Sequence, residues 1–268
     1  MLYFVPTPIG NLEDISRRSI TLLANSTIVF CEDTRVTKRL ISLLKERYEI
    51  PFLDKEFISL HSHNEKVVLE KTDSAIFEQD VVYLSDAGMP AVSDPGCELV
   101  RYCHTHDIKY EVLPGANAAL LAYASSGFCE SQFLFFGFLP HKGNDRTNAL
   151  TKALNSGYVT ILYESPHRIQ KLVDELALKA PTREIFLIKE ATKMYERHFR
   201  GTSQEVQKQL ENQNIKGEWV IVLNALKKEF GVITVEDVLA LDIPKKQASK
   251  LIAKITGKSP KECYQQLL

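Results

Sequence analysis

Nine short apolar runs recur along this chain: LYFV (2–5), STIVF (26–30), FISL (57–60), VVYL (81–84), YEVL (110–113), FLFFGFL (133–139), VTILY (159–163), EIFLI (184–188) and WVIVL (219–223). Each has the length of a buried strand. Amphipathic stretches at 35–48, 64–79, 97–107 and 168–179 lie between them, and strands alternating with helices on this scale predict α/β layers. Gly and Pro gather directly after several runs, in TPIGN, DAGMP and LPGAN. In an open α/β sheet the loops beyond the carboxyl ends of the strands form the ligand crevice, so three candidate ligand loops are expected on one rim.

The Ala-rich segment GANAALLAYASSGF reads as a helix within 115–130 that joins the first strands to the second set. It divides the chain into an N-terminal α/β domain, 1–115, and a C-terminal α/β domain, 116–226. No strand of comparable quality follows WVIVL, and residues 227–268 are expected to be helical. Thr234 opens one helix with Glu236 two residues on, Pro244 opens a second that Gly257 ends, and Ser259-Pro260 opens a third. Two short helices joined by a Gly-containing turn resemble a helix-turn-helix, a shape shared with many small helical caps.

Charge is unevenly spread. Residues 226–268 hold eight lysines against five acidic residues, which puts this tail at +3 and the remainder at −4 within a total of −1. Such a tail suits contact with nucleic acid, or is a solvated lysine-rich face. Five cysteines are scattered without C-x-x-C pairs or histidines at ligand spacing, which points away from a zinc site or a disulfide framework and toward a reducing cytoplasm. No apolar run approaches the length of a membrane span, and the N-terminus lacks the basic start of an export signal, so a soluble cytoplasmic protein is expected.

The loop in VVYLSDAGMPAVSDPG carries Asp86 and Asp94 among small residues and no Lys or Arg. A phosphate cradle needs glycine N–H groups, a helix N-terminus and usually a lysine, so this loop selects against nucleotide phosphates. Carboxylates suit a ligand with hydroxyls or positive charge, such as S-adenosylmethionine; two tight turns capped by Asp are the alternative. The loop after the first run, VPTPIGNLEDIS, is not G-x-G-x-x-G, which leaves no dinucleotide fingerprint.

Charged groups also follow other runs. KEATKMYE brings Lys189, Glu190, Lys193 and Glu196 to the rim as candidates for accepting a hydroxyl proton, or as ordinary charged pairs at helical spacing. CEDTR offers Arg35 for a phosphate or for a local ion pair. His61 and His63 of HSHNE have no clear third ligand, which favours substrate positioning over a metal. In YESPHRI, Tyr163 or His167 can stack on a base beside Arg168. LPHKGNDR, 139–146, reads as a loop that offers His141, Lys142 and Arg146 to RNA or to solvent.

TPIGNLEDIS, CEDTR, HSHNE, SDAGMPAVSDPG, LPGANAA, FGFLP, YESPHRI, KEATKMYE and GEW, in that order and over nearly the whole chain, resemble the tetrapyrrole-methylase-like superfamily of S-adenosylmethionine-dependent methyltransferases. More closely, the chain resembles the bacterial family that 2′-O-methylates a cytidine of small-subunit ribosomal RNA. It departs from that pattern at Met89, where the family has Thr, at Ser85, where the superfamily often has Gly, and in HSHNE, which lacks an acidic residue between its histidines. The resemblance implies two α/β domains of the class III methyltransferase type with a small helical extension, and a homodimer. It points to Pro8, Asp86, Met89, Ala116, Asn117 and Tyr163 as neighbours of the methyl donor. It further implies 16S ribosomal RNA as partner; Arg35, His63, Lys142, Arg146, His167, Arg168, Lys246 and Lys250 are the candidate RNA contacts read from the residues themselves. No metal is expected. A methylase of a corrin or porphyrin, and an RNA-binding assembly factor without catalysis, are the competing readings.

Overall fold

The computed structural model describes residues 1–226 and 233–267; Lys227, Lys228 and Glu229 of the basic tail lie outside the described residues. The first five strands are β1 (Leu2–Phe4), β2 (Ile28–Cys31), β3 (Glu56–Ser59), β4 (Val81–Leu84) and β5 (Tyr110–Val112). They form one parallel sheet in the order β3-β2-β4-β1-β5. A parallel sheet must be covered on both faces. Accordingly β2 and β4 are buried at every position, with Val81 and Tyr83 in one core and Val82 and Leu84 in another. The crossovers are α1 (Arg17–Asn25), α2 (Thr34–Tyr48), α3 (Glu65–Lys71) and α4 (Cys97–Thr105).

Helix α5 (Ala118–Ser126) leads to the second sheet, and Ala119 and Ala122 pack on Ile161, Ile188 and Val220. That sheet holds β6 (Phe133–Phe138), β7 (Val159–Glu164), β8 (Glu184–Lys189), β9 (Arg197–Thr202) and β10 (Trp219–Leu223) in the order β6-β7-β10-β8-β9. Only β6 and β7 pair in parallel. Its other face is covered by α6 (Gly143–Leu154), α7 (Ile169–Lys179) and α8 (Ser203–Leu210), through Leu150, Leu172, Leu176 and Val206.

The nine apolar runs all become strands, and a tenth strand, β9, has no run to announce it. It is an edge strand, and Phe199 is its one buried side chain, so its sequence RHFRGT carries no apolar signal. The stretch 64–79 is not one helix. It breaks at Thr72, and Asp73 then caps a separate 3-10 turn, Ser74–Glu78, by accepting the Ala75 N–H at 3.0 Å. The expected loop 139–146 ends at Lys142, because α6 begins at Gly143.

The helical tail forms a separate compact unit of α9 (Val235–Leu239), α10 (Lys245–Thr256) and α11 (Pro260–Gln266). Its own small core contains Val238, Ala248, Ile252 and Cys263. Thr234 and Ser259 close capping boxes with Asp237 and Glu262, so the partner of Thr234 is Asp237 and not Glu236. No described helix is long and apolar enough to cross a membrane.

Candidate active site

Strand β1 lies between β4 and β5, so the loops leaving these three strands are neighbours on one rim. The first two are stitched together: the Thr7 N–H donates to the Gly88 carbonyl at 3.0 Å, and the Gly88 N–H donates back at 3.1 Å. Gly88 has φ +84°, and a Cβ there would lie 3.2 Å from Ile9 and 3.4 Å from the Ala116 carbonyl, so the third loop closes on it as well. The loop after β1 also reaches the second half of the chain, where the Asn11 N–H donates to Thr192 Oγ1 at 3.1 Å.

These contacts border a cavity of about 310 Å³ between the rim of the first sheet and the end of the second. Met89, Asn117 and Tyr163 line it, whereas Pro8, Asp86 and Ala116 sit on the same loops outside the lining. Asn117 also caps α5, its Oδ1 accepting the Leu120 N–H at 3.1 Å. Phe138 stands edge-on to Tyr163, 5.5 Å between ring centroids, and closes one side. Asp86 faces the end of β2, where its Oδ1 accepts the Asp33 N–H at 3.1 Å and its own N–H donates to Glu32 Oε2 at 3.3 Å.

The charges on the cavity wall are Asp94, Glu164 and Glu218, and no Lys, Arg or His lines it among the described residues. Burial, followed by the nearby Glu32, pushes the Asp94 carboxyl up to about 6. Glu164 is wholly buried and is neutralised by Arg168 at 2.7 Å and Arg146 at 3.4 Å. Glu218 is paired with Lys193 at 2.9 Å. Asp94 alone of the three has no cationic partner among the described residues.

The segment after β8 is a tight turn, not a helix. Glu190 and Thr192 hold left-handed backbones with φ of 53° and 65°, as do Ala91 and Ser93 across the cavity with φ of 64° and 62°. Such strain persists where surrounding contacts enforce it. Lys193 bridges Glu190 at 3.0 Å and Glu218. Burial alone would lower its pKa, but the two carboxylates outweigh burial and raise it, which favours the protonated form of Lys193. Glu190 accepts the Glu218 N–H at 2.8 Å, and the Glu190 N–H donates to the Glu218 carbonyl. Gly217, φ +119°, makes room for this: a Cβ there would meet Glu190 Cγ at 2.6 Å. Glu196 accepts the Thr192 N–H at 2.6 Å and pairs with His198. Lys189 is buried and donates to the Asn214 carbonyl at 2.5 Å. All four expected catalytic groups are thus engaged in holding this turn and its neighbours.

Of the expected RNA contacts, Arg146 is corrected: it is 2% exposed, with its guanidinium on Glu175 at 2.9 Å and on Glu164. It lies inside α6 and faces the core, so it is closed to RNA. Arg168 is half-buried on Glu164 and on the Leu139 carbonyl. Arg35 is exposed and bidentate on Asp33, which it holds down to about 2. His63, Lys142, His167, Lys246 and Lys250 are exposed, the last two in the separate helical unit. Asp94, Glu164 and Glu218 are not among the site residues expected from sequence, although Asp94 stands there with Asp86 as one of the two carboxylates of the small-residue loop expected to suit a cationic ligand.

Residues 1–207 match the family model described as Tetrapyrrole (Corrin/Porphyrin) Methylases. The chain is 50% identical, over the full length of both proteins, to ribosomal RNA small subunit methyltransferase I of Campylobacter fetus subsp. fetus. It is 41% identical to the protein of the same name from Helicobacter pylori, across 100% of this chain and 97% of that one. The chain belongs to this family of tetrapyrrole methylases. A solved structure of the same fold, uroporphyrin-III C-methyltransferase from Thermus thermophilus complexed with S-adenyl homocysteine, superposes with a TM-score of 0.54 at 17% identity, covering 82% of this chain and 96% of that one. The chemistry of this methylase's own cavity fits a cationic, hydroxyl-bearing donor. Among the described residues its wall presents an unpaired carboxylate, apolar side chains and backbone groups, and no cation to meet a phosphate.

Proposed function

We propose that this chain transfers a methyl group from S-adenosylmethionine to the 2′-hydroxyl of a cytidine ribose in 16S ribosomal RNA of the small subunit. The observation that carries this is the cavity wall, whose charged groups are carboxylates, one of them without a counter-ion among the described residues. The names of the full-length relatives supply the acceptor class. The homodimer and the cytoplasmic location belong to the same proposal and rest on the family resemblance, with five free thiols suiting a reducing compartment. The division at residue 115, with α5 counted in the second domain because it packs on the second sheet, is part of it too.

S-adenosylmethionine supplies an activated methyl on a sulfonium, so the protein's task is chiefly alignment of the acceptor with that methyl. Met89, Asn117 and Tyr163 bound the donor, and Ile9, Val92 and Ile188 give the cavity dry walls. Asp94, ionised at neutral pH, is the carboxylate free to balance positive charge or to take the proton of a hydroxyl. Lys193, held between Glu190 and Glu218, fixes the turn that closes the second side.

The test is methyl transfer from labelled S-adenosylmethionine to small ribosomal subunits from cells lacking this protein, followed by alkaline hydrolysis. An alkali-resistant linkage at one nucleotide is the expected result. Donor binding without incorporation would point to a corrin or porphyrin acceptor, and absence of donor binding to an assembly factor.

A further inference from the structure

Within the body of the protein, one helix carries a local excess of positive charge. Residues 1–225 carry a formal charge of −4, yet α2 holds Arg35, Lys38, Arg39, Lys45 and Arg47 against Glu46 alone, which puts the helix at +4 and the rest of that body at −8. Among the described helices only α10, in the separate unit, carries as much. Two of the α2 cations are spoken for: Arg35 pairs with Asp33 at 2.5 Å and Arg47 with Glu13 at 2.6 Å. Lys38, Arg39 and Lys45 are exposed and make no ion pair among the described residues.

Their placement is specific. Lys38 and Lys45 are two helical turns apart on one stripe, about 10 Å along the axis. The Lys38 ammonium stands over the Phe57 ring at 5.0 Å and that of Lys45 over Phe52 at 5.6 Å, which restrains both side chains. The Lys55 ammonium also stands over the Phe52 ring, at 5.6 Å, and burial followed by Lys45 pushes its pKa down to about 8. Uncompensated like charge raises the energy of the folded chain, and a polyanion laid along the stripe removes that cost. The helix also begins beside the loop that lines the cavity, since its N-cap residue Asp33 donates its N–H to Asp86, and the next residue, Ala87, lines that cavity.

We propose, resting on the RNA acceptor proposed above, that the exposed face of α2 binds phosphates of the ribosomal RNA through Lys38, Arg39 and Lys45 and leads the strand to the cavity. Val36 and Leu43 are exposed on the same helix, 41% and 43%, so a second copy of the chain is the competing occupant. Repeated positive charge, with Glu46 the single acid on the helix, favours RNA.

The experiment compares the full-length chain with its Lys38→Glu/Arg39→Glu/Lys45→Glu variant. Three measurements are made on each: donor affinity, steady-state methylation of small subunits, and direct binding of a 16S ribosomal RNA fragment over a range of salt. Donor affinity and melting temperature are expected to stay at wild-type values, while KM for subunits rises at least about tenfold and the salt slope of RNA binding becomes shallower by about 2–3, the loss of three phosphate contacts. Unchanged KM and unchanged salt slope would overturn the proposal, as would a changed sedimentation coefficient with RNA binding intact, which assigns the face to another protein chain. Should the wild type bind the fragment but methylate no subunits, the acceptor reading fails while the binding arm still decides the role of α2.

Discussion

Thr7 and Gly88, eighty-one positions apart, exchange two backbone hydrogen bonds of 3.0 and 3.1 Å and so join the loops that follow β1 and β4. This pairing sets one wall of the cavity proposed to hold the donor, because Ile9 and Met89 on either side of it both line that cavity. A left-handed residue makes it possible.

Gly88→Ala is therefore expected to destabilise the fold by about 1–2 kcal/mol through the φ penalty. It should also weaken donor binding, since the added Cβ presses on Ile9 and on the Ala116 carbonyl. Calorimetric titration with S-adenosylmethionine, alongside urea unfolding, measures both. Donor affinity equal to wild type would remove this pairing from the site.

Asp94→Asn separates activity from stability. The folded pKa of about 6 lies above the ordinary aspartate value, so the protonated form is the one the fold favours, and stability present at low pH is lost as pH rises through about 6. The Asn variant should melt above wild type near about pH 8, with the difference narrowing toward about pH 4. Its methyl transfer should fall by about a hundredfold or more, and the wild-type rise of kcat/KM across about pH 6 should disappear. A pH profile of the variant that still rises there would assign the step to another group.

Lys193→Met tests whether that lysine is a bridge or a base. Removing the cation leaves Glu190 and Glu218 facing each other without compensation, which should loosen the turn and weaken donor binding. A bridge predicts a fall in kcat within about tenfold, whereas loss of a proton acceptor predicts about 10²–10⁴ with donor affinity intact. Steady-state kinetics with measured donor affinity distinguishes the two.

Arg146→Ala should cost about 3–5 kcal/mol in urea unfolding, the range for leaving a buried charge partly uncompensated. Glu164, wholly buried, would then rely on Arg168 alone. RNA affinity should be unaffected when measured well below the unfolding transition, because the side chain never reaches the surface. A small stability change with a large loss of RNA binding would restore Arg146 as an RNA contact.

Much of the fold was legible because burial leaves a mark on composition. Every strand buried on both faces, such as β2, β4 and β10, is an unbroken apolar run, and the caps at Asn117, Thr234 and Ser259 sit where Asn, Thr and Ser precede helical patterns. Strand β9 was silent for the opposite reason: at the edge of the sheet, Phe199 alone needed to be apolar. Charged residues misled most. Arg146 looked like a surface loop residue among His141, Lys142 and Asp145, and nothing local reveals that its partner Glu175 stands twenty-nine positions away.

Sequence by itself determined the α/β class, the rim of small-residue loops and the basic helical tail, because each follows from local periodicity and residue chemistry. Tertiary structure alone decided which charges meet. It paired Lys193 with Glu218, buried Glu164 between two arginines, left Asp94 without a cationic partner among the described residues and kept Lys38, Arg39 and Lys45 of α2 exposed and out of ion pairs there. Coulomb interaction and desolvation depend on distance and depth in space, and neither is encoded by spacing along the chain.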